Sequence, residues 1–112
     1  MHDLDSLLRI MRRLRDPKQG CDWDLAQTYE TIVPHTIEEA YEVADAIERQ
    51  DFQSLKDELG DLLFQIIFYS QLSQERSTFN FDDVVQGICE KMIRRHPHIF
   101  EVSEPELNSD KL

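Results

Sequence analysis

The chain is poor in the residues that make turns and cross-links. Its 112 residues include only three glycines and four prolines, too few for a turn-rich β architecture, and the reading is all-α. Two cysteines, Cys21 and Cys89, lie far apart and form no CxxC pair. They read as reduced thiols rather than metal ligands or a disulfide framework, so the expected location is cytoplasmic. Nothing resembles a signal peptide, and no apolar run reaches the roughly 18 residues that span a bilayer. Basic residues are also scarce, 12 against 23 acids, for a formal net charge of −11. Nucleic acid and anionic membrane surfaces both demand a cationic footprint, so neither is an expected partner. A small phosphorylated substrate stays compatible if metal ions neutralise it together with the protein's carboxylates.

What remains is helical periodicity in a chain of one-domain size. Leu4, Leu7, Leu8, Met11 and Leu14 recur at helical spacing, and Asp16-Pro17-Lys18-Gln19-Gly20 ends that segment. An irregular stretch with Trp23, Gln27 and Thr28 leads to an interruption at Pro34. The spacing predicts a second main helix from Thr36, capped by a Thr36-to-Glu39 box, to about Gln50. A third is expected from Gln53 or Ser54, with Ser54 as cap, to about Ser73. Asn80 caps a fourth that runs through Val84, Val85, Ile88, Met92 and Ile93 to Arg95, and Pro97 stops it. The expectation is an antiparallel bundle of about four to five helices over residues 1–100, followed by an acidic, loose tail over 101–112.

Two clusters of acids stand out: Glu38, Glu39 and Glu42, then Glu58 and Asp61. A solvated acidic face would explain the first alone, although like charges one turn apart are mildly destabilising. The second is harder to dismiss. Asp61 lies in the run Leu59-Gly60-Asp61-Leu62-Leu63-Phe64-Gln65-Ile66-Ile67-Phe68-Tyr69, and a helix apolar all round is expected to be buried. In so small a chain that points to a partner subunit, and Gly60 to a close helix or ligand approach. A buried carboxylate needs a cation, yet no Lys or Arg lies between Lys56 and Arg76. The short connection between the second and third helices would bring the two clusters together. All-oxygen ligation suits a hard cation, Mg²⁺ or Mn²⁺.

These residues resemble a known family. Glu38-Glu39-x-x-Glu42 followed by Glu58-x-x-Asp61 is similar to the EExxE…ExxD signature of the MazG nucleotide pyrophosphohydrolases, within the all-α NTP pyrophosphatases. Cys21-Asp22-Trp23-Asp24 with Gln27-Thr28 resembles that family's C-P-W-D…Q-T segment, with Asp22 where Pro is usual. Glu58-Leu59-Gly60-Asp61-Leu62-Leu63-Phe64-Gln65 and Arg94-Arg95-His96-Pro97-His98-Ile99-Phe100 resemble two further family segments. The resemblance implies Mg²⁺-dependent hydrolysis of nucleoside triphosphates to monophosphate and pyrophosphate, in a homodimer or homotetramer. It implies Glu39, Glu42, Glu58 and Asp61 as metal ligands, with Glu38 as an extra acid.

The chemistry is consistent with that implication. Attack on the α-phosphorus needs charge neutralisation, an in-line water and a stabilised leaving group, all of which bound metals can supply. No Gly-rich phosphate cradle is present, so cationic side chains are expected to help, with Lys18, Lys91, Arg94 and Arg95 as candidates. Ordinary solvated charge explains them equally well. Trp23, the sole tryptophan, suits either base stacking or core packing, and His35, His96 and His98 read as structural. The alternative is a non-catalytic helical oligomerisation module, or one silent half of a two-copy protein.

Overall fold

In the computed structural model, which describes residues 1–100, five helices follow one another without a strand: α1 (Leu4–Leu14), α2 (Asp22–Leu25), α3 (Tyr29–Glu48), α4 (Phe52–Glu75) and α5 (Phe81–Arg95). The expectation for 101–112 lies outside the described residues. Helix starts are set by side chains that satisfy otherwise unpaired amides. Asp3 and Ser6 form a reciprocal box at α1, and Asn80 does the same with Asp83 at α5.

Two starts differ from expectation. The helix predicted from Thr36 begins at Tyr29, capped by Thr28 with Thr31, and runs through Pro34. Pro34 lies in the second turn, where its ring forfeits only the bond to the exposed Glu30. The Thr36-to-Glu39 box does not form, because the Thr36 hydroxyl donates to the Ile32 carbonyl at 3.3 Å and bonds the Tyr69 hydroxyl at 2.6 Å. At α4 the cap is Asp51, which accepts from the Ser54 amide and hydroxyl, so Ser54 is the partner rather than the cap. The stretch around Trp23, read as irregular, contains the single turn α2.

Helix α3 packs principally on α4, with α1 and α5 against other parts of α4. The turn between α3 and α4 is short because Gln50 adopts a left-handed conformation (φ 57°). The Gln50 and Asp51 amides then donate back to the Ile47 and Ala46 carbonyls, both at 3.0 Å, which closes the helix end and reverses the chain. At the other end of the pair, Tyr29 bonds Ser73 at 2.7 Å and its ring stacks on Tyr69. Gly20 is fixed by space, since a Cβ there would collide with the Leu14 carbonyl oxygen. That close approach lets the chain turn back over the end of α1. Arg15 secures the corner by pairing with Glu75 and donating to the Asp24 carbonyl at 2.7 Å.

The core consists of Met11, Ile32, Ile67, Phe68 and Leu72, with Leu7, Leu8, Phe64 and Phe81 against it. Burial on all sides of α4 is therefore realised only toward its C-terminal half. Leu59, Leu63 and Ile66 are exposed in the single chain, and so is Asp61. Nor does anything within the chain crowd Gly60, where an added Cβ would meet no atom within 4 Å. Gly60→Ala should therefore stabilise the protein by roughly 0.5–1 kcal/mol through helix propensity, read by denaturant melts. A loss of stability would instead place a second chain against this face.

Candidate metal centre and adjoining cavity

The acids meet because of chain arithmetic. Glu39 lies nine residues before the last residue of α3, and Asp61 nine after the first of α4. At about 1.5 Å per residue, the tight reversal at Gln50 leaves the two at similar depth along antiparallel helices. Glu58, one turn before Asp61, shares its face. One carboxylate oxygen from each of Glu39, Glu58 and Asp61 comes within 4.8 Å of the other two.

No cation answers them from within the described chain. Its ion pairs lie elsewhere, Arg15 with Glu75 and Arg49 with Asp45 and Asp51. Glu39 is half-buried, and its Oε2 is shut off from solvent with no hydrogen-bond partner. Its carboxyl is pushed up to about 7, first by desolvation, then by a hydrogen bond shared with Glu58 and by the charges of Glu58, Asp61 and Glu42. Such a group holds a proton near neutrality when nothing else neutralises the cluster.

The other expected residues are placed less centrally. Glu42 acts on Glu39 through its charge but is outside the close trio, and Glu38 is exposed beside it. Lys18, in the α1–α2 loop, and Lys91, Arg94 and Arg95, on α5, are exposed and pair with none of the three acids. Trp23 is 54% exposed and meets His35 edge-on at 6.1 Å, a half-open position rather than core. His96 takes the structural role expected of it, bonding the Met92 carbonyl at 2.7 Å.

Beside the acids lies a cavity of about 140 Å³, lined by Trp23, Ile32, His35, Phe64, Gln65 and Phe68. His35 precedes Glu39 by one turn, and Gln65 follows Asp61 by one turn. Because the helices run in opposite senses, both steps lead the same way, from carboxylates to cavity. Gln65 Oε1 is buried without a partner. Neither Gln65 nor His35 was singled out by the sequence as a site residue. The available signal for Gln65 was a lone amide in the apolar run, one turn beyond Asp61.

Comparison with known proteins supplies the family. The model of the MazG nucleotide pyrophosphohydrolase domain matches residues 27–100, which include every acid of the trio and most of the cavity wall. The nucleoside triphosphate pyrophosphohydrolase of Escherichia coli K12 is 54% identical over 112 residues, covering all of this chain and 43% of that protein. A nucleoside triphosphate pyrophosphohydrolase/pyrophosphatase MazG of Thermotoga maritima is 46% identical over 96 residues, covering 86% of this chain and 37% of that relative. The chain thus spans less than half the length of these two relatives. With the family model covering well over half of its residues, the chain belongs to the MazG nucleotide pyrophosphohydrolase domain family.

Proposed function

We propose that this domain hydrolyses nucleoside triphosphates, with Mg²⁺, by adding water at the α-phosphorus and releasing nucleoside monophosphate and pyrophosphate. The observation that carries this reading is the uncompensated trio Glu39, Glu58 and Asp61, one turn from a cavity of aromatic-ring size. The donor set fits a hard divalent cation. All three groups offer oxygen, and the orphaned Glu39 Oε2 is the kind of buried acceptor such an ion satisfies. When bound, the cation supplies neutralisation of the triphosphate and an activated water. Glu39, Glu58 and Asp61 would hold it, with Glu42 completing the set and Glu38 ordering the neighbouring water. Lys18, Lys91 and Arg95 are the cationic side chains assigned to the phosphate chain, and Trp23 to the base.

A homodimer or homotetramer is part of the same proposal. Ile37, Tyr41 and Phe52 join Leu59, Leu63 and Ile66 as large apolar side chains exposed on α3 and α4. Exposed apolar groups on this scale point to association. The full set of signature acids favours an enzyme over the alternative of a silent scaffold. No helix among the described residues is long and apolar enough to cross a membrane.

Two catalytic outcomes are expected. Pyrophosphate should be released from nucleoside triphosphates with Mg²⁺ but not with EDTA. Asp61→Ala should lower that rate by at least about a hundredfold, since a ligand should matter no less than the outer-shell partners whose loss costs up to that much. A folded oligomer inert toward every nucleotide would overturn the assignment.

A third outcome concerns protons. The Glu39 carboxyl is raised in the folded metal-free chain, so that state keeps a proton which the unfolded chain has released. Its contribution to stability is complete below about 4.5 and is lost as pH rises through about 7. The melting temperature of the EDTA-treated protein should fall across that window. Glu39→Gln should flatten the fall, and Mg²⁺ should restore stability above it.

A further inference from the structure

The geometry points to Arg15 as a positioning residue for nucleotide binding: its guanidinium caps the α2 turn from outside and so fixes Trp23 at the edge of the cavity. The proposal rests on the nucleotide reading above for the ligand that Trp23 meets.

Trp23 does not hold its own place. Helix α2 is a single turn of four residues, and Cys21 at its start supplies no side-chain cap. One helical turn fixes several dihedral angles for very few hydrogen bonds, so it does not persist unaided. The Trp23 ring is 54% exposed and meets the His35 ring edge-on at 6.1 Å. Where it stands is therefore decided by whatever holds the α2 backbone.

Arg15 holds it. Its Nη1 donates to the Asp24 carbonyl at 2.7 Å and to the Gln27 carbonyl at 3.5 Å. Both oxygens lie at the C-terminal end of the turn, where helical carbonyls lack partners and a cation is favoured. Gln27 carries the fastening onward, since its side-chain Nε2 donates to the Trp23 carbonyl at 2.8 Å.

The guanidinium is itself braced. Its Nε and Nη2 both donate to the Glu75 carboxylate, Nε at 3.1 Å, and Gln71 donates to the same carboxylate at 3.2 Å. Its Cζ lies 5.8 Å from the centre of the Phe68 ring, and Phe68 lines the cavity. The Arg15 side chain is only 10% exposed. A planar fork of five donors serves Glu75 and the α2 carbonyls together. A lysine is a point charge, and it meets one or the other.

That difference separates positioning from stability alone. Arg15→Lys is compared with wild type and with Leu72→Val, a change in the core but outside the cavity wall. Gln27→Ala is the second variant, since it removes the last link and leaves the Arg15–Glu75 pair intact. Time-resolved anisotropy of Trp23, the sole tryptophan, is read without nucleotide. KM and kcat are then measured for ATP, GTP, CTP and UTP with Mg²⁺. Arg15→Lys and Gln27→Ala should free fast motion of Trp23. Each should raise KM about fivefold or more, the lower end of what a base–aromatic stack contributes, with kcat little altered. Leu72→Val should lower the melting temperature and move neither.

Wild-type KM in both variants, a Trp23 as rigid as before, or a KM rise matched by Leu72→Val would each overturn the assignment. The two readings fail separately. If wild type releases no pyrophosphate, the hydrolase reading falls, and the four nucleoside monophosphates, titrated through Trp23 fluorescence, carry the same comparison. Release of pyrophosphate with KM unmoved in both variants sinks the positioning role alone.

Discussion

Glu39, Glu58 and Asp61 bring like charges within 4.8 Å of one another on a partly desolvated helix seam, and the pairing of α3 with α4 has to hold against that repulsion. Repulsion between carboxylates grows as solvent is withdrawn, so two helices carrying them would splay unless clamped on both sides of the cluster. The clamps are visible. On one side, the left-handed Gln50 and the two backbone bonds it permits lock α3 to α4 at the reversal. On the other, the Thr36–Tyr69 and Tyr29–Ser73 hydroxyl bonds cross between the same helices above the core residues Ile67 and Phe68. The acids lie between these two fastenings, where neither helix can retreat without breaking one of them.

This arrangement divides α4 by task. Its C-terminal half buries Ile67, Phe68, Leu72 and Ser73 and carries the contacts to α1 and α5. Its N-terminal half holds Glu58 and Asp61 among exposed leucines. The better-packed half supplies stability, and the more open half bears the unfavourable charge cluster. Functional regions are commonly drawn from the less stable part of a fold for this reason. Arg15 reinforces the division by gathering α1, α2 and the end of α4 into one corner, which supports the α2 turn that presents Trp23.

How much of this was legible in the sequence follows from what each signal reports. The ends of α1 and the start of α5 were readable because caps and spacing are local, and Asp16-Pro17 and Asn80 act through their own neighbours. Pro34 misled because its cost depends on position, and in the second turn of a well-capped helix it is tolerated. The all-apolar run of α4 correctly announced an unusual helix. Apolarity, however, does not say which surface will cover each face, and this chain covers only part of it. The acid trio was visible because carboxylates three apart on two joined helices have few ways not to meet. Gln65 was hidden by its ordinariness, since glutamine is a good helix former and only its lost solvent marks it out.

The same charge constraint explains why a neutral amide suits the position beside the acids. A carboxylate at residue 65 would add a fourth negative group one turn from Asp61 and raise Glu39 further. An arginine or lysine there would pair with the trio and compete with the cation that the trio is assigned to hold. Glutamine changes neither the charge of the cluster nor its call for a counter-ion.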